Sequence, residues 1–289
     1  MTINADVLNR YLFDDMHVRG ELVQLSKTYK DIVALHDYPK GVSELLGELV
    51  AATCLLTATL KFDGEIAVQL QGDGPIGYLA VNGNHQQEMR AIARSYDGAI
   101  GSGLKDLIGQ GTMVITIRPT QGEPYQGVVA LEKATLAECL AHYFEVSEQI
   151  PTKIWLFVDE ENKQAAGSLL QLLPDAGSKE NQMADFEHLC QLTNTLKSTE
   201  MFSLKAEDLL YRLYHQEKVR LFEAQAVTYC CSCSEQKCLN AIAQIDPTEL
   251  KSIIEEQNKV SMTCDYCRTT YKFDEKKLAL FLADDQQSH

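Results

Sequence analysis

The sequence lacks any uncharged apolar run long enough to cross a membrane. The longest such run, residues 49–60, falls well short of the roughly 20 residues that a membrane-spanning helix needs. We therefore predict that this run is a buried helix and that the protein has no membrane partner. Residues 1–6 also lack the basic and hydrophobic segments of a secretory signal, so we expect a cytoplasmic protein.

Basic residues are scarce relative to acidic ones. The chain has 26 Lys and Arg against 41 Asp and Glu, which gives a formal net charge of −15. Affinity for nucleic acids comes largely from basic side chains that displace counterions from phosphates, so this charge argues against a nucleic-acid partner. With 289 residues, 45% hydrophobic overall, the chain is typical of a soluble globular protein with one main domain and one smaller domain.

The sequence has no histidine pair at metal-binding spacing, but it contains nine cysteines. Cys54, Cys139 and Cys190 are dispersed, and we expect Cys54 and Cys190 to be buried as small hydrophobic residues. The other six lie between positions 230 and 267: Cys230, Cys231, Cys233, Cys238, Cys264 and Cys267. In a reducing compartment, such crowding indicates metal or redox chemistry rather than a framework of structural disulfides.

Residues 62–157 have mainly the pattern of β-strands. Ile66, Val68 and Leu70 alternate with less apolar residues, and short apolar runs follow at residues 113–117, 128–131 and 154–158. We also predict a helix that starts at Ser43 and another over residues 136–144. The sequence thus predicts an α+β protein whose first domain, residues 1–177, is a mixed α/β sheet domain that ends in the turn-rich stretch 174–178.

The stretch Gly72-Asp73-Gly74-Pro75-Ile76-Gly77 matches the glycine spacing of dinucleotide-binding loops. Such a loop needs a strand before it and a helix after it, so that the helix N-terminus faces the pyrophosphate. Here Pro75 and the apolar residues 78–81 favour a second strand. We therefore predict a hairpin turn rather than a nucleotide site.

Residues 178–229 are predicted to form an amphipathic helical linker arm. Five residues at steps of three and four give one apolar face of a helix of about four turns, with Cys190 on the same side. These five are Met183, Phe186, Leu189, Leu192 and Leu196. A second helix is predicted after a Ser203 cap, with an apolar stripe at Leu209, Leu210, Leu213 and Tyr214.

The remaining residues, 230–289, contain two close cysteine pairs and are predicted to form a small zinc-binding domain. Cys231-Ser232-Cys233 is followed, 30 residues later, by Cys264-Asp265-Tyr266-Cys267. Two such pairs can supply four thiolates to one tetrahedral Zn²⁺, which closes the site and leaves no position for a reacting water. This pattern argues against an enzyme, and Cys230 or Cys238 could replace one of the four ligands.

Two other interpretations of the cysteine pairs are a purely structural zinc module and a zinc finger that reads nucleic acid. The second is disfavoured because residues 230–289 contain ten Asp and Glu against seven Lys and Arg, and so lack a basic stripe. The single-residue spacing of the first pair and the spare thiols Cys230 and Cys238 favour a redox role. A thiol oxidoreductase is disfavoured because no redox motif lies on a βαβ unit.

Several motifs extend the pattern beyond the cysteines. They are His17-Val18-Arg19-Gly20-Glu21-Leu22-Val23, Phe62-Asp63-Gly64 before the Gly72 turn, Tyr143-Phe144 with Ser147-Glu148-Gln149-Ile150-Pro151-Thr152, and Leu213-Tyr214-His215. In this order, and together with the cysteine pairs, they closely resemble the redox-regulated 33 kDa chaperonin (heat shock protein 33) family over nearly the whole chain.

The resemblance implies that Cys231, Cys233, Cys264 and Cys267 bind one zinc ion in the reduced state. It implies a holdase, which is a chaperone that binds unfolding proteins without ATP, is silent when reduced, and is active as a homodimer after oxidation. The disulfides implied are Cys231–Cys233 and Cys264–Cys267. We expect their formation to release zinc, unfold the small domain and uncover the apolar face of the arm for client proteins.

Overall fold

The computed structural model describes residues 6–60, 63–95, 101–174 and 179–282. The chain divides into two compact units, Met1–Cys230 and Cys231–His289. Residues 175–178, where we place the end of the first domain, and Phe62 of the second motif lie outside the described residues. The mixture of helices and sheets confirms the predicted α+β class.

The first unit is built on two six-stranded sheets. Its strands are β1 (Val7–Phe13), β2 (Val18–Leu25), β3 (Gly64–Gly72), β4 (Ile76–Asn84), β5 (Glu88–Ser95), β6 (Gly111–Pro119), β7 (Tyr125–Ala130), β8 (Thr152–Asp159), β9 (Gln164–Leu172), β10 (Val219–Leu221), β11 (Gln225–Ala226) and β12 (Thr228–Tyr229). The first sheet has the order β10-β1-β2-β9-β8, with β11 also paired to β1, and the second has the order β12-β5-β4-β3-β6-β7. All pairs are antiparallel except β12 with β5.

The helices of the first unit precede, connect or follow these strands. They are α1 (Lys27–Val33), α2 (Lys40–Thr59), α3 (Gly103–Ile108), α4 (Leu136–Tyr143), α5 (Lys179–Thr193), α6 (Ser198–Ser203) and α7 (Ala206–Tyr214). Thr135 and Glu138 form a reciprocal capping box at the start of α4, and the chain continues after α4 as a π-helical turn, Phe144–Glu148.

Helix α2 contacts strands of both sheets and fills the space between them. It is long and apolar enough to cross a membrane, but 83% of its most apolar window is buried, as in the core helix of a soluble protein. Its start differs from our prediction, because α2 begins at Lys40 after Pro39 rather than at Ser43. Ser43 does not cap the helix, since its hydroxyl lies 2.9 Å from the hydroxyl of Tyr29 in the core.

The glycine-rich stretch at residues 72–77 is a hairpin turn between β3 and β4, as predicted. Gly74 N–H donates to the carbonyl of Ile108 at 2.9 Å. A Cβ atom on Gly72 would lie 2.1 Å from the same carbonyl oxygen, so the close approach of two backbones requires glycine here. The turn is followed by strand β4 and not by a helix, so it has no helix N-terminus that could face a pyrophosphate.

The two faces of the first sheet pack against different partners. On β2, Val23 faces α2 and Leu22 faces away from it, and on β9 the residues Leu169 and Leu170 divide in the same way. The side chains that face away pack against residues 179–214, which carry α5, α6 and α7 and which we call the arm. Because both faces are covered, β2 and β9 are buried at nearly every position rather than at every second one, and even polar residues such as Glu21 and Gln171 are buried there.

The contacts between the arm and this sheet form one apolar cluster, which we call the outer cluster. Its buried members are Tyr11, Phe13, Val18, Leu22, Ala166 and Leu170 from the sheet, with Phe186, Leu189, Leu196, Met201, Phe202, Ala206, Leu209, Leu210, Leu213 and Tyr214 from residues 186–214. The hydroxyl of Thr193 lies 2.5 Å from that of Tyr214, so a buried polar contact joins α5 to α7.

Two details of the arm differ from the sequence prediction. Helix α5 ends at Thr193, so Leu196 lies in the turn after it, where its N–H donates to the carbonyl of Thr193. Ser203 is the last residue of α6 and does not cap α7, whose N-cap is Lys205. The Ser203 hydroxyl donates to the carbonyl of Thr199 instead, at 2.6 Å, because a serine inside a helix bonds back to the preceding turn.

Over residues 231–282 the second unit has three short helices and one hairpin. Its elements are α8 (Glu235–Ile242), α9 (Pro247–Gln257), β13 (Val260–Thr263), β14 (Thr270–Phe273) and α10 (Glu275–Leu282). The buried hydrophobic residues of its core are Cys238, Ile242, Leu250, Ile254, Val260, Phe273 and Leu278. Seven buried side chains among residues 231–278, whose side chains the structure describes, are few for an independent domain, so we expect a further source of stability in this unit.

Candidate metal centre

The first cysteine pair lies on the segment that enters α8. Ser234 caps this helix, and its hydroxyl oxygen accepts a hydrogen bond from the backbone N–H of Lys237 at 3.2 Å. The ammonium group of Lys237 donates back to the carbonyl of Ser232 at 2.8 Å. These two bonds hold the backbone between Cys231 and the helix in one conformation.

The second pair lies in the tight turn between β13 and β14. Cys264 N–H donates to the carbonyl of Thr269 at 2.9 Å, and Arg268 N–H donates to the carbonyl of Cys264 at 2.8 Å. Arg268 has a φ of 59°, in the left-handed region that residues other than glycine and asparagine seldom adopt. The turn folds the chain back so that Cys267 and Cys264 present their sulfurs to the same side.

The four sulfurs of these pairs meet at one point. All four Sγ atoms lie within 4.8 Å of one another, and the side chains are only partly buried. Two contacts run between the pairs: Cys231 to Cys264 at 3.8 Å and Cys233 to Cys267 at 3.3 Å. A tetrahedral Zn²⁺ with bonds of about 2.3 Å would place its sulfur ligands ~3.8 Å apart, so both the spacing and the donor type fit zinc.

Among the residues that the structure describes, no other group of three or more His, Cys, Asp or Glu side chains has donor atoms arranged for a metal ion. The group does not include Cys230, which is exposed, or Cys238, which is buried in the core of the second unit. Cys54 and Cys139 are buried in the core of the first unit, and Cys190 is partly buried in the outer cluster. Burial raises the pKa of Cys190 to about 11, so this thiol is a poor nucleophile.

The thiols of the cluster differ in pKa. Burial, reinforced by the neighbouring thiols and opposed by a hydrogen bond with Tyr271, raises the pKa of Cys233 to about 12. Burial also acts on Cys267, but hydrogen bonds with the hydroxyl and backbone of Thr269 and with the thiols of Cys233 and Cys231 together outweigh it and lower the pKa of this thiol to about 6. Four thiolates this close would repel one another, so the cluster can ionise fully only when a cation neutralises it.

The predicted switch residues of the arm are not equivalent. Phe186, Leu189 and Leu196 are buried in the outer cluster, Leu192 is partly buried against it, and Met183 is 38% exposed. Met201 and Phe202, which are not among the predicted residues, are buried in the same cluster. Helix α6 has only six residues, which is too short to show a helical period, so no local pattern marks these two residues as buried.

Three hydrogen bonds also join the arm to the sheet. The amide of Gln24 on β2 donates to the carbonyls of Met201 and Leu204 at 2.6 and 3.0 Å. The indole N–H of Trp155 on β8 donates to the side-chain oxygen of Asn194 at 2.9 Å. The arm is therefore docked by hydrogen bonds at both α6 and the end of α5 as well as by apolar packing.

Comparisons with known proteins agree on one family. The family model described as "Hsp33 protein" matches residues 6–274. The 33 kDa chaperonin of Colwellia psychrerythraea is 64% identical over 282 residues, which cover 96% of this chain and 97% of that protein. The 33 kDa chaperonin of Shewanella sp. strain ANA-3 is 54% identical over 286 residues, which cover 98% of both chains.

A solved structure has the same fold. The crystal structure of the 33 kDa chaperonin (heat shock protein 33 homolog) of Thermotoga maritima superimposes with a TM-score of 0.82 over 98% of this chain and 100% of that one. The sequence identity is 23%, so this likeness concerns the fold alone.

Proposed function

Because the chain belongs to the Hsp33 family of chaperones, we propose that it is a redox-regulated holdase that works without ATP. In this proposal the reduced protein is silent, and oxidation turns it into a binder of unfolding client proteins. The observation that carries the proposal is a four-thiol cluster with zinc-like spacing in a unit whose described side chains, residues 231–278, include seven buried hydrophobic residues.

The proposed ligands of one Zn²⁺ per chain are Cys231, Cys233, Cys264 and Cys267. When bound, zinc would keep these sulfurs ionised and tie the segment before α8 to the β13–β14 turn. All four positions of a tetrahedral shell would then be filled by protein, so the site supports no catalysis by a bound water. We therefore propose a structural and regulatory metal centre and no enzymatic turnover.

Oxidation would act on the sulfurs directly. A peroxide or hypochlorite oxidises one thiolate to a sulfenic acid, and a neighbouring thiol displaces the hydroxyl as water to form a disulfide. We propose the pairs Cys231–Cys233 and Cys264–Cys267. The contacts of 3.8 and 3.3 Å between the pairs offer a competing connectivity, so peptide mapping of the oxidised protein is the direct check.

Loss of the four thiolates would leave the second unit without its main support. Structural zinc contributes on the order of 10 kcal/mol to the folding of small domains, and the small core described over residues 231–278 would not replace it. We propose that the unit unfolds once the disulfides form. The disorder would then extend along the chain toward the arm. The connecting segment pairs with the sheets only weakly, through two residues of β11 on β1 and two residues of β12 on β5.

Release of the arm would uncover both sides of the outer cluster. The proposed client surface includes Phe186, Leu189 and Leu196, with Leu192 and Met183 at its margin. Exposed apolar patches larger than roughly 300–600 Å² are typical of protein-binding surfaces, and the outer cluster is large enough to form one. We further propose that the oxidised protein is a homodimer and that it works in the cytoplasm, since thiol switching needs a reducing resting state.

The test follows zinc and chaperone activity in the same sample. The reduced full-length protein should release one equivalent of zinc to a chromogenic chelator on treatment with peroxide, and suppress aggregation of a heat-unfolded client with the same time course. Reduction with added zinc should reverse both signals.

Substitutions then assign the ligands. The double variant Cys264→Ser and Cys267→Ser should not retain stoichiometric zinc and should be active without oxidant. Cys230→Ser is the matched control, because its thiol is exposed and outside the cluster, and it should bind zinc normally. If the double variant keeps its zinc and stays silent until oxidised, the ligand assignment is wrong.

A further inference from the structure

The first unit contains a cavity of about 420 Å³ that the cysteine chemistry does not use. It opens between the two sheets near the end of α2. Its inner wall is apolar and includes Leu56, Ile66, Ile115 and Phe144, all buried. A cavity of this size is within the range of small-molecule sites, which are mostly apolar with a few polar groups at fixed positions.

The mouth of the cavity carries those polar groups. The hydroxyl of Tyr143 donates to a carboxylate oxygen of Glu148 at 2.7 Å, and the hydroxyl of Tyr125 contacts the same oxygen at 3.4 Å. The two phenol oxygens are 3.0 Å apart. Tyr143 is 94% buried, since its exposed fraction is 6%, whereas Glu148 and Tyr125 are exposed at the rim. The network therefore holds one carboxylate at the entrance in a fixed orientation.

The backbone around Glu148 has two uncommon conformations. Glu148 ends the π-helical turn Phe144–Glu148, and Gln149 follows with a φ of 57° in the left-handed region. Turns of this type cost free energy and are frequent at functional sites. Burial, with hydrogen bonds to Tyr125 and Glu148, raises the pKa of Tyr143 well above its usual range, so this phenol keeps the proton that it donates.

The charge at the entrance is negative. Glu123 also lines the cavity and is exposed, so the lining includes two carboxylates and one basic residue, Arg19. The guanidinium of Arg19 is turned to the side chain of Gln171, with contacts of 3.1 and 2.5 Å, and Gln171 in turn donates to Thr152. A chain with a net charge of −15 adds a long-range attraction for cations.

Two motifs that carry the family resemblance meet at this cavity although neither contributes to the cysteine cluster. One supplies Arg19 on β2, and the other supplies Tyr143, Phe144, Glu148 and Ile150 after β7. From these observations we infer that the cavity binds a small cationic amphiphile. Its aromatic or aliphatic body of about ten heavy atoms occupies the apolar interior, and its ammonium group lies against Glu148 at the entrance.

The experiment uses three probes with the same body and different heads: 4-phenylbutylamine, 4-phenylbutanol and 4-phenylbutyrate. Their binding to the reduced full-length protein is measured by calorimetry and ligand-detected NMR. The amine should bind at least threefold more tightly than the alcohol and tenfold more tightly than the carboxylate. The preference for the amine should weaken as salt is added, because the carboxylate lies at an exposed rim.

Variants locate the site. Glu148→Gln should abolish the preference for the amine over the alcohol while leaving the affinity for the alcohol unchanged. Glu145→Gln is the matched control, because Glu145 is an exposed carboxylate on the same π-helical turn that does not line the cavity. Ile115→Phe should fill the interior and weaken all three probes at least tenfold, with thermal melting used to verify its fold.

The inference is overturned if none of the probes binds saturably at millimolar concentration, if the alcohol binds as well as the amine, or if Glu148→Gln keeps the preference. The measurement needs neither zinc release nor client binding. Its failure would therefore leave the proposed holdase function standing, and failure of that function would leave this site standing.

Discussion

Docking of the arm can be weakened without touching a cysteine, and Leu189→Ala is the sharpest way to do so. Leu189 is fully buried in the outer cluster, at 0% exposure. Truncation of a buried leucine to alanine costs about 2–5 kcal/mol, depending on how far the cavity collapses. A loss of about 3 kcal/mol changes the ratio of docked to released arm by about a hundredfold. We expect the reduced, zinc-loaded variant to suppress client aggregation without oxidant.

The chain offers its own reporter for this experiment. Trp155 is the single tryptophan, and its indole N–H donates to Asn194 just after α5. Release of the arm should break this bond and shift the tryptophan emission to longer wavelength. In Leu189→Ala the shift should be present before oxidation, whereas in the parent protein it should appear only with oxidant.

The matched control is Met183→Ala, on the same helix but 38% exposed, which should leave both the emission and the silent state as they are. Control of activity by arm docking is ruled out if Leu189→Ala lowers the melting temperature of the first unit while the reduced protein stays silent with unchanged emission. It is also refuted if Met183→Ala activates the protein equally. In either case the outer cluster would contribute to stability only.

One buried residue in each unit offers a further test. Phe273 is fully buried in the second unit, so Phe273→Ala should cost about 3–5 kcal/mol and speed zinc loss to a competing chelator; an unchanged rate would show that this small core is dispensable. Burial raises the pKa of Glu21 from 4.5 to about 7, against the nearby charges of Arg19 and Arg10. The folded state therefore binds the proton more tightly, and stability should fall by about 3 kcal/mol as the pH rises from 4.5 to 7. Glu21→Gln should remove this slope in urea unfolding, and a slope that persists would contradict the assignment.

The sequence was most informative where the local pattern alone decides the structure. The turn at residues 72–77 was predicted because Pro75 and the apolar residues after it favour a strand. The family was identified correctly because several motifs occur in one order, which single residues cannot match by chance. The α+β class followed from alternation in β3 and from the short apolar runs in β6 and β8.

Other features depend on contacts between distant segments and left no local pattern. Strands β1, β2 and β9 were not predicted, and β9 in particular has no alternation because both of its faces are buried. Ser43 and Ser203 were predicted as helix caps from their residue type, but Tyr29 binds the first and the preceding turn binds the second. The cavity between the sheets is likewise lined by residues from at least five elements, so only the folded structure reveals it.

The two-sided packing of β2 and β9 has a consequence for how much of the molecule can change. Side chains of neighbouring residues on these strands belong to separate clusters, Val23 and Leu169 to one, Leu22 and Leu170 to the other. If the arm is released, only Leu22 and Leu170 become exposed, while Val23 and Leu169 remain packed in the core that contains α2. The sheet would thus separate two apolar cores, one that stays packed against α2 and one that can be exposed. Loss of order on the arm side would then leave the rest of the first unit folded.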